Sequence, residues 1–301
     1  MEGDDVTYLE AARTVDERAH SDAATAAFRA ALGIEAGDDR VSVLEAGAGT
    51  CGMLRRLLGD DALPAGEWVA VDTDDRALSA GRERLCAEAT ATGYRVETNH
   101  DGDDGRDGDA IELRRPDREA TLRVRFAVAD ARAVADDLGG GFDGVVARSF
   151  ADLLAPEEVL DLLRTAAPDG WYHLPLTFDG ETRFAPLHPT DGTVIDAFHG
   201  TMRNHGRAAT LLAERFAEAG SPATVDARAD WVVEGDERGG YPAEEATFLR
   251  VVLDTVVASV RESGVMSEAT LADWRVAREA QLKRGELGYA AVNRDLFGRV
   301  P

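Results

Sequence analysis

A glycine-rich segment follows a short apolar run near the start of the chain. Residues 47–52 read Gly-Ala-Gly-Thr-Cys-Gly, which matches the pattern G-x-G-x-x-G, and residues 41–44 form the apolar run before them. Asp72 ends the next apolar run. Glycines let the backbone approach a ligand closely, and a carboxylate at the end of a second strand can accept both hydroxyls of a ribose. This combination predicts a site for an adenosine-type ligand.

Glu45 discriminates between two classes of such ligands. It lies just before the first glycine of the loop, and we expect its carboxylate to face the mouth of the loop. The pyrophosphate of a dinucleotide would be repelled there. S-adenosylmethionine instead offers an ammonium and a sulfonium group, which are both cationic. The loop therefore favours S-adenosylmethionine, and an NAD-dependent oxidoreductase is a minor alternative.

Alternating strands and helices must position these residues. After the first apolar run, further strands are predicted at residues 67–72, 121–130, 142–148, 170–177, 229–233 and 287–293. Helical patterns separate most of them. The alternation predicts an α/β fold with a doubly wound, mostly parallel sheet.

The other segments are predicted as parts of a single domain spanning residues 1–301. An N-terminal helical cap is predicted at 1–40, with one helix over 4–32, and a β-hairpin insertion at 93–127, with an exposed tip at 101–109. An acceptor-side cap is predicted at 178–228; it is loop-rich to 193 and helical over 194–220. A two-helix insertion is predicted at 241–284.

The sequence resembles class I S-adenosylmethionine-dependent methyltransferases at these motifs. The matching segments, VLEAGAGTCG (43–52), VAVDTD (69–74), FAVADARAV (126–134) and FDGVVARSFADLL (142–154), occur in the family's order. The resemblance implies a Rossmann-like, seven-stranded sheet with an antiparallel last strand. Segments in the second half, such as LPLTFDGETRF, look like a poorly defined small-molecule subgroup.

The resemblance also implies roles for individual residues. Glu45, Gly47 and Gly49 would surround the methionine moiety, Asp72 would bind the ribose, and Asp130 with the backbone of Ala131 would read the adenine edge. The predicted cofactor-binding residues are Glu45, Gly47, Gly49, Asp72, Thr73, Asp130, Ala131 and Arg148, the last of which would border the reactive methyl group.

Candidates for the acceptor side follow the strands at 142–148 and 170–177. A base is needed only if the acceptor must lose a proton. Four of the six histidines lie between residues 173 and 205. The spacing of His199 and Arg203 predicts that they share one helix face. The candidates are His199, His205 and Asp152 for catalysis, and Tyr8, Thr177, Asp179 and Arg203 for acceptor binding.

The charge of the chain is strongly negative. It has 57 acidic and 33 basic side chains, a formal net charge of -24, and a single lysine, Lys283. Without a basic patch, binding to nucleic acid or to an anionic membrane surface is disfavoured. The composition resembles that of cytoplasmic proteins from salt-loving organisms. At molar salt the repulsion between surface carboxylates is weak.

Other features narrow the location and the chemistry. Met1 to Asp5 is acidic with no apolar segment after it, and no uncharged run approaches the length of a membrane span. We therefore expect a cytoplasmic protein. No HxH or CxxC pattern occurs, so no metal site is predicted.

These observations predict an enzyme that transfers a methyl group from S-adenosylmethionine to a small polar metabolite by in-line displacement. Three alternatives remain at this point: methylation of RNA, methylation of protein, and a non-catalytic S-adenosylmethionine-binding protein. The residues 147–150 lack the Asn/Asp-Pro-Pro-aromatic motif of RNA base methyltransferases, which excludes that subclass. The acceptor itself is not predicted, and a homo-oligomer is left open.

Overall fold

The computed structural model describes residues 5–33, 40–99, 109–117, 120–236 and 238–301. Within these ranges the strands are β1 (Arg40–Ala46), β2 (Ala65–Asp72), β3 (Arg95–Asn99), β4 (Ala110–Arg114), β5 (Thr121–Val128), β6 (Gly144–Val146), β7 (Trp171–Ala185), β8 (Val225–Arg228), β9 (Trp231–Val233) and β10 (Gly288–Arg299). The helices are α1 (Asp5–Ala19), α2 (Asp22–Ala31), α3 (Gly52–Gly59), α4 (Asp75–Ala91), α5 (Ala131–Leu138), α6 (Pro156–Ala166), α7 (Asp191–Thr201), α8 (Ala208–Glu218), α9 (Glu245–Ser263) and α10 (Glu268–Lys283).

The strands form one mixed sheet in the order β3-β4-β5-β2-β1-β6-β7-β10-β8, with β9 also paired to β10. The five strands from β5 to β7 in this order run parallel to one another. β10 runs antiparallel to β7 and β8. The predicted Rossmann-like fold, with seven core strands and an antiparallel last strand, is confirmed. β3, β4 and β9 are additions to it.

Both faces of the parallel strands are covered by helices. α2, α3 and α4 pack on one face, where Trp68 is fully buried. α5, α6 and α8 pack on the other. Because both faces are buried, β1 and β2 read as nearly continuous apolar runs, which is why their positions are visible in the sequence.

A third core lies beyond the parallel strands. The distal halves of β7 and β10 pair with each other, and helices α1, α7, α9 and α10 pack around them. Trp274 and Phe248 are fully buried there. This third core places the N-terminal helix and the two-helix insertion beside the carboxyl ends of the parallel strands.

The loop-rich segment expected at 178–193 is wrong in its first half. β7 continues to Ala185, and Arg183 pairs with Ala290 of β10. Side chains there alternate between the core and solvent, as buried Thr182 and Phe184 and exposed Arg183 show. This period of two is typical of a strand with one solvated face.

The strand expected at 229–233 is shorter, because only β9 at its end is a strand, and β8 before it was not expected. β8 completes the edge of the sheet beside one half of β10, and β9 pairs with the other half. Ala229 donates its amide to the carbonyl of Asn293 between them. The expected last strand is also too short, because β10 extends to Arg299.

Two helices that were expected to be continuous are interrupted. The helix expected over 4–32 is α1 and α2, and Ser21 caps α2 by accepting the amide of Ala24. The helix expected over 194–220 is α7 and α8, separated by a turn in which His205 and Gly206 have positive φ. The prediction that His199 and Arg203 share one helix face is therefore wrong, since α7 ends at Thr201.

The predicted insertions have matching elements. β3 and β4 form an antiparallel hairpin that joins β5, and most of its predicted tip, 101–108, lies outside the described residues. α9 and α10 lie within the expected two-helix segment. The division of the chain into one domain with these parts stays a prediction. None of the helices in the described ranges has the length and apolar character needed to cross a membrane.

Candidate functional site

The glycine loop connects β1 to α3 and has the conformation that its glycines allow. Gly47 and Gly49 have φ angles of +69° and +51°, a backbone conformation that residues other than glycine rarely adopt. A Cβ atom at Gly47 would overlap the ring of Phe150. The amide of Ala48 donates to the carbonyl of Val71 at 2.9 Å, which ties the loop to the end of β2.

Asp72 is fixed at the mouth of this loop by the backbone. Its Oδ2 accepts the amide of Gly49 at 2.7 Å, and its Oδ1 accepts the amide of Asp74 at 2.9 Å. A carboxylate oxygen has two acceptor positions. Each oxygen of Asp72 therefore keeps one position for a hydroxyl of a bound ligand.

A cavity of about 920 Å³ lies between the glycine loop and the cap. Its volume is in the range of small-molecule sites. One end is lined by the carboxyl ends of the parallel strands and the loops after them, at residues 47–50, 71–74, 129–132, 148–150 and 152–154. The other end is lined by residues of α1, α9, β7, β9 and β10 and by the segment after α7, among them Tyr8, Asp16, Thr182, Trp231, Tyr289 and Asn293.

Seven of the eight predicted cofactor-binding residues lie in the wall of this cavity. They are Gly47, Gly49, Asp72, Thr73, Asp130, Ala131 and Arg148. Asp130 caps α5 and accepts the amide of Arg132 at 2.9 Å. Hydrogen bonds from Arg132 lower the pKa of Asp130, so this carboxylate stays ionised.

Glu45 differs from the expectation. Its carboxylate does not face the mouth of the loop: it accepts the indole N–H of Trp68 at 2.7 Å and is 2% exposed. It is absent from the residues that line the cavity. Burial raises the pKa of Glu45 to about 7. A direct role of Glu45 in cofactor binding stays a prediction.

Arg148 connects the glycine loop to the N-terminal helix. Its Nη1 lies 3.4 Å from Oδ2 of Asp16 in α1, and its guanidinium lies over Gly52, where a Cβ atom would overlap it. Asp16 is only 5% exposed. Burial raises the pKa of Asp16 to about 6, although the charge of Arg148 opposes this effect.

Sequence reasoning did not select Asp16, but a signal for it exists. Tyr8, Ala12 and Asp16 follow one another at intervals of four, so they share one face of α1. All three line the cavity. An acid on the apolar stripe of a helix is unusual, and that is the feature that would have identified it.

Two of the predicted acceptor-side residues lie close together in the cavity. Burial raises the pKa of Tyr8, and the negative charges of Asp16 and Asp152 act on it in the same direction. The ring of Tyr8 stacks on Phe248 of α9 at 5.8 Å between centroids. Burial also raises the pKa of Asp152 to about 6.

The two histidines do not line the cavity. His199 places its Nε2 3.0 Å from the hydroxyl of Thr182, and its ring packs against Phe178. Burial lowers the pKa of His199. His205 is exposed in the turn between α7 and α8. Although histidine is enriched in this segment, neither of the two rings lies in the wall of the cavity.

Thr177 and Asp179 also point away from the cavity. The hydroxyl of Thr177 donates to the carbonyl of Leu174 at 3.0 Å. Asp179 accepts the amide of Thr210 at 2.8 Å and pairs with Arg294 at 3.0 Å. These contacts stabilise the junction of β7, α8 and β10. Neither side chain is in a position to contact an acceptor in the cavity.

Arg203 lies in the wall of the cavity and pairs with Glu158 of α6 at 2.6 Å. Over the whole wall, five acidic side chains (Asp16, Asp72, Asp74, Asp130 and Asp152) face three arginines (Arg132, Arg148 and Arg203). This excess of acids suits a cationic ligand. In the described part of the chain, no group of three or more His, Cys, Asp or Glu residues is arranged to hold a metal ion.

Solved structures that resemble the chain include several methyltransferases. One comes from the complex of the Haloferax volcanii Trm112 methyltransferase activator with a methyltransferase; it is 14% identical, covers 99% of this chain and 96% of that chain, and has a TM-score of 0.44. Magnesium protoporphyrin IX methyltransferase from Synechocystis, solved with bound S-adenosylhomocysteine, is 13% identical, covers 75% and 89%, and has a TM-score of 0.42. The plantazolicin methyltransferase is 11% identical, covers 96% of each chain, and has a TM-score of 0.36.

These similarities concern the fold, because the identities and TM-scores are low. No protein-family model matches the chain, and no curated protein sequence matches it.

Proposed function

We propose that the chain is an S-adenosylmethionine-dependent methyltransferase that acts on a small polar metabolite by in-line displacement. The main support is one continuous cavity whose wall includes the glycine loop, Asp72, Tyr8 of α1 and Asp152 in the segment after β6. A methyl donor and an acceptor must be in line within one water-excluded space, and this cavity offers room for both.

The residues present fit the cofactor. Asp72 retains acceptor positions for the ribose hydroxyls, and Asp130 and the backbone of Ala131 lie beside it for the adenine. Gly47 and Gly49 leave the backbone of the loop open to the methionine moiety, and Arg148 lies next to it. When bound, S-adenosylmethionine supplies the electrophilic methyl group of a sulfonium.

The protein contributes orientation and desolvation. Helices α1 and α9 cover the acceptor end of the cavity, with Tyr8 and Val252 in its wall. Such a cover excludes water from the acceptor and favours a small molecule over a polymer. Asp152, which is buried beside Tyr8, is the candidate to accept a proton where the acceptor must lose one.

The cellular setting belongs to the same proposal. We propose a cytoplasmic enzyme with a surface adapted to high salt, on the basis of a formal net charge of -24 and of arginine in place of almost all lysine. A small-molecule partner agrees with this charge, whereas a nucleic-acid partner would need a basic surface.

Isothermal titration calorimetry at molar KCl tests the cofactor. We expect S-adenosylmethionine and S-adenosylhomocysteine to bind and NADH to show no heat of binding. Binding of NADH without binding of S-adenosylmethionine would sink the proposal. Transfer of tritium from the labelled methyl group into small molecules of a metabolite extract then distinguishes an enzyme from a non-catalytic binding protein.

A further inference from the structure

Four buried polar side-chain atoms in the wall of the cavity have no hydrogen-bond partner among the described residues. They are Oδ1 of Asp16, Oγ of Ser149, Oδ1 of Asp152 and Nδ2 of Asn293. A buried polar group without a partner costs free energy comparable to a lost hydrogen bond. Their concentration in one cavity indicates that a ligand supplies the missing partners.

Two of these atoms are carboxylate oxygens close to one phenol. The charges of Asp16 and Asp152 both act on Tyr8. Each carboxylate has Oδ1 buried and unpartnered, and Asp16 is only 5% exposed. A carboxylate only accepts hydrogen bonds, so the complementary group on a ligand must donate them.

Aromatic rings line the same cavity. Tyr8, Phe150, Trp231 and Tyr289 are part of its wall. The indole of Trp231 lies beside Asp16, and its hydrogen bond to that carboxyl lowers the pKa of Asp16. Aromatic faces attract cations, and the attraction increases when water is excluded. Carboxylates and aromatic rings together suit an ammonium group.

We propose that the methyl acceptor is a small molecule with a protonated amino group that Asp16 and Asp152 bind. This proposal rests on the proposed function, because it concerns the acceptor end of the same cavity. The unpartnered side-chain amide N–H of Asn293 indicates that the acceptor also carries an oxygen able to accept a hydrogen bond.

The two carboxylates have different parts in the reaction. The ion pair with Arg148 keeps Asp16 ionised, so it holds the ammonium. No cationic side chain is paired with Asp152 in the described structure, so Asp152 takes the proton and the ammonium becomes a neutral amine. The nitrogen lone pair then forms the N–C bond to the methyl group as the C–S bond breaks, and that electron pair stays on sulfur. The product is a protonated N-methylamine.

Three probes of the same skeleton test the class of acceptor. They are 2-phenylethylamine, 2-phenylethanol and 3-phenylpropionate, titrated into protein that is saturated with S-adenosylhomocysteine. Because a charged hydrogen bond contributes about 1.5–3 kcal/mol, we expect the amine to bind about 10-fold or more tightly than the alcohol. The carboxylate should bind least. Equal binding of the three, or no binding of the amine at millimolar concentration, overturns the proposal.

Variants assign the binding to the two carboxylates. D16N and D152N should each weaken the binding of the amine by about 10-fold or more and leave the affinity for the alcohol unchanged. D273N, on the exposed face of α10, is the matched control and should leave both unchanged. Affinity for S-adenosylhomocysteine is measured first for every protein, so a failure of the cofactor site is seen separately. Unchanged affinity for the amine in both cavity variants overturns the proposal.

Discussion

Asp16 of the N-terminal helix and Arg148, which follows β6, form an ion pair of 3.4 Å in the wall of the cavity. Arg148 lies over the first residue of α3, and Asp16 faces the aromatic wall of the cap. This pair therefore couples the position of α1 to the glycine loop. A ligand that contacts either side chain changes the environment of the other.

Asp72→Ala should weaken S-adenosylmethionine binding by about 10-fold or more, because charge-assisted hydrogen bonds to the ribose are lost. Calorimetry measures the change. Asp75→Ala, an exposed acid at the start of α4, is the control and should retain the affinity of the unmodified protein. If Asp72→Ala binds as tightly as that control, the assignment of the glycine-loop site is wrong.

His205→Ala should retain turnover within about twofold of the unmodified enzyme, since its ring is exposed and outside the cavity wall. Asp152→Asn should reduce kcat by about 100-fold or more, the usual contribution of a general base. Single-turnover assays with labelled cofactor compare the two. The opposite pattern, with a large loss at His205 and none at Asp152, would return the role of the base to the histidine.

Glu45 should make stability depend on pH. Its pKa is about 7 in the folded protein against a usual 4.5, so the folded state binds more protons between these values and the unfolding free energy falls as pH rises through this window. The difference corresponds to about 3 kcal/mol. In Glu45→Gln the amide oxygen still accepts the indole N–H of Trp68. Relative to this variant, the unmodified protein should lose stability from pH 4.5 to pH 7 in urea titrations. Parallel stability curves for the two proteins would contradict the expectation.

The buried ion pair of Asp191 and Arg278 should be essential for the third core. Asp191 also accepts the indole N–H of Trp274 at 2.8 Å, and the guanidinium of Arg278 is fully buried. Arg278→Met leaves the carboxylate uncompensated and should lower the unfolding free energy by about 3–5 kcal/mol. The exposed pair of Arg183 and Glu181 is the control, where Arg183→Met should cost less than about 1 kcal/mol. Equal losses at the two positions would refute the structural role of the buried pair.

The unfolding temperature should rise with salt. Repulsion among surface carboxylates destabilises the folded chain at low ionic strength, and molar KCl shortens the Debye length to about 3 Å. Scanning calorimetry from low to molar KCl should show a steady increase. An equal increase in an uncharged osmolyte such as sucrose would point instead to a general effect of excluded solutes.

Several parts of the fold and the site were accessible from sequence, because their signals are local. The runs of β1 and β2 are apolar because both faces are buried, and the glycine loop with Asp72 follows directly from where those strands end. The helix containing His199 was misjudged for a related reason: its end depends on a turn with positive φ at His205 and Gly206, which the helical pattern on either side conceals.

The sequence by itself determined the class of sheet and the place of the glycine loop and Asp72 after its first two strands. The tertiary structure alone decided the acceptor end, because its wall comes from α1, α9, β9 and β10, which are far apart in the chain. Pairing of β7 with β10 brings Asn293 to that wall, and the third core holds Asp16 there. Which polar atoms remain buried without a partner depends on how these distant elements pack, and no spacing within one segment of the sequence encodes it.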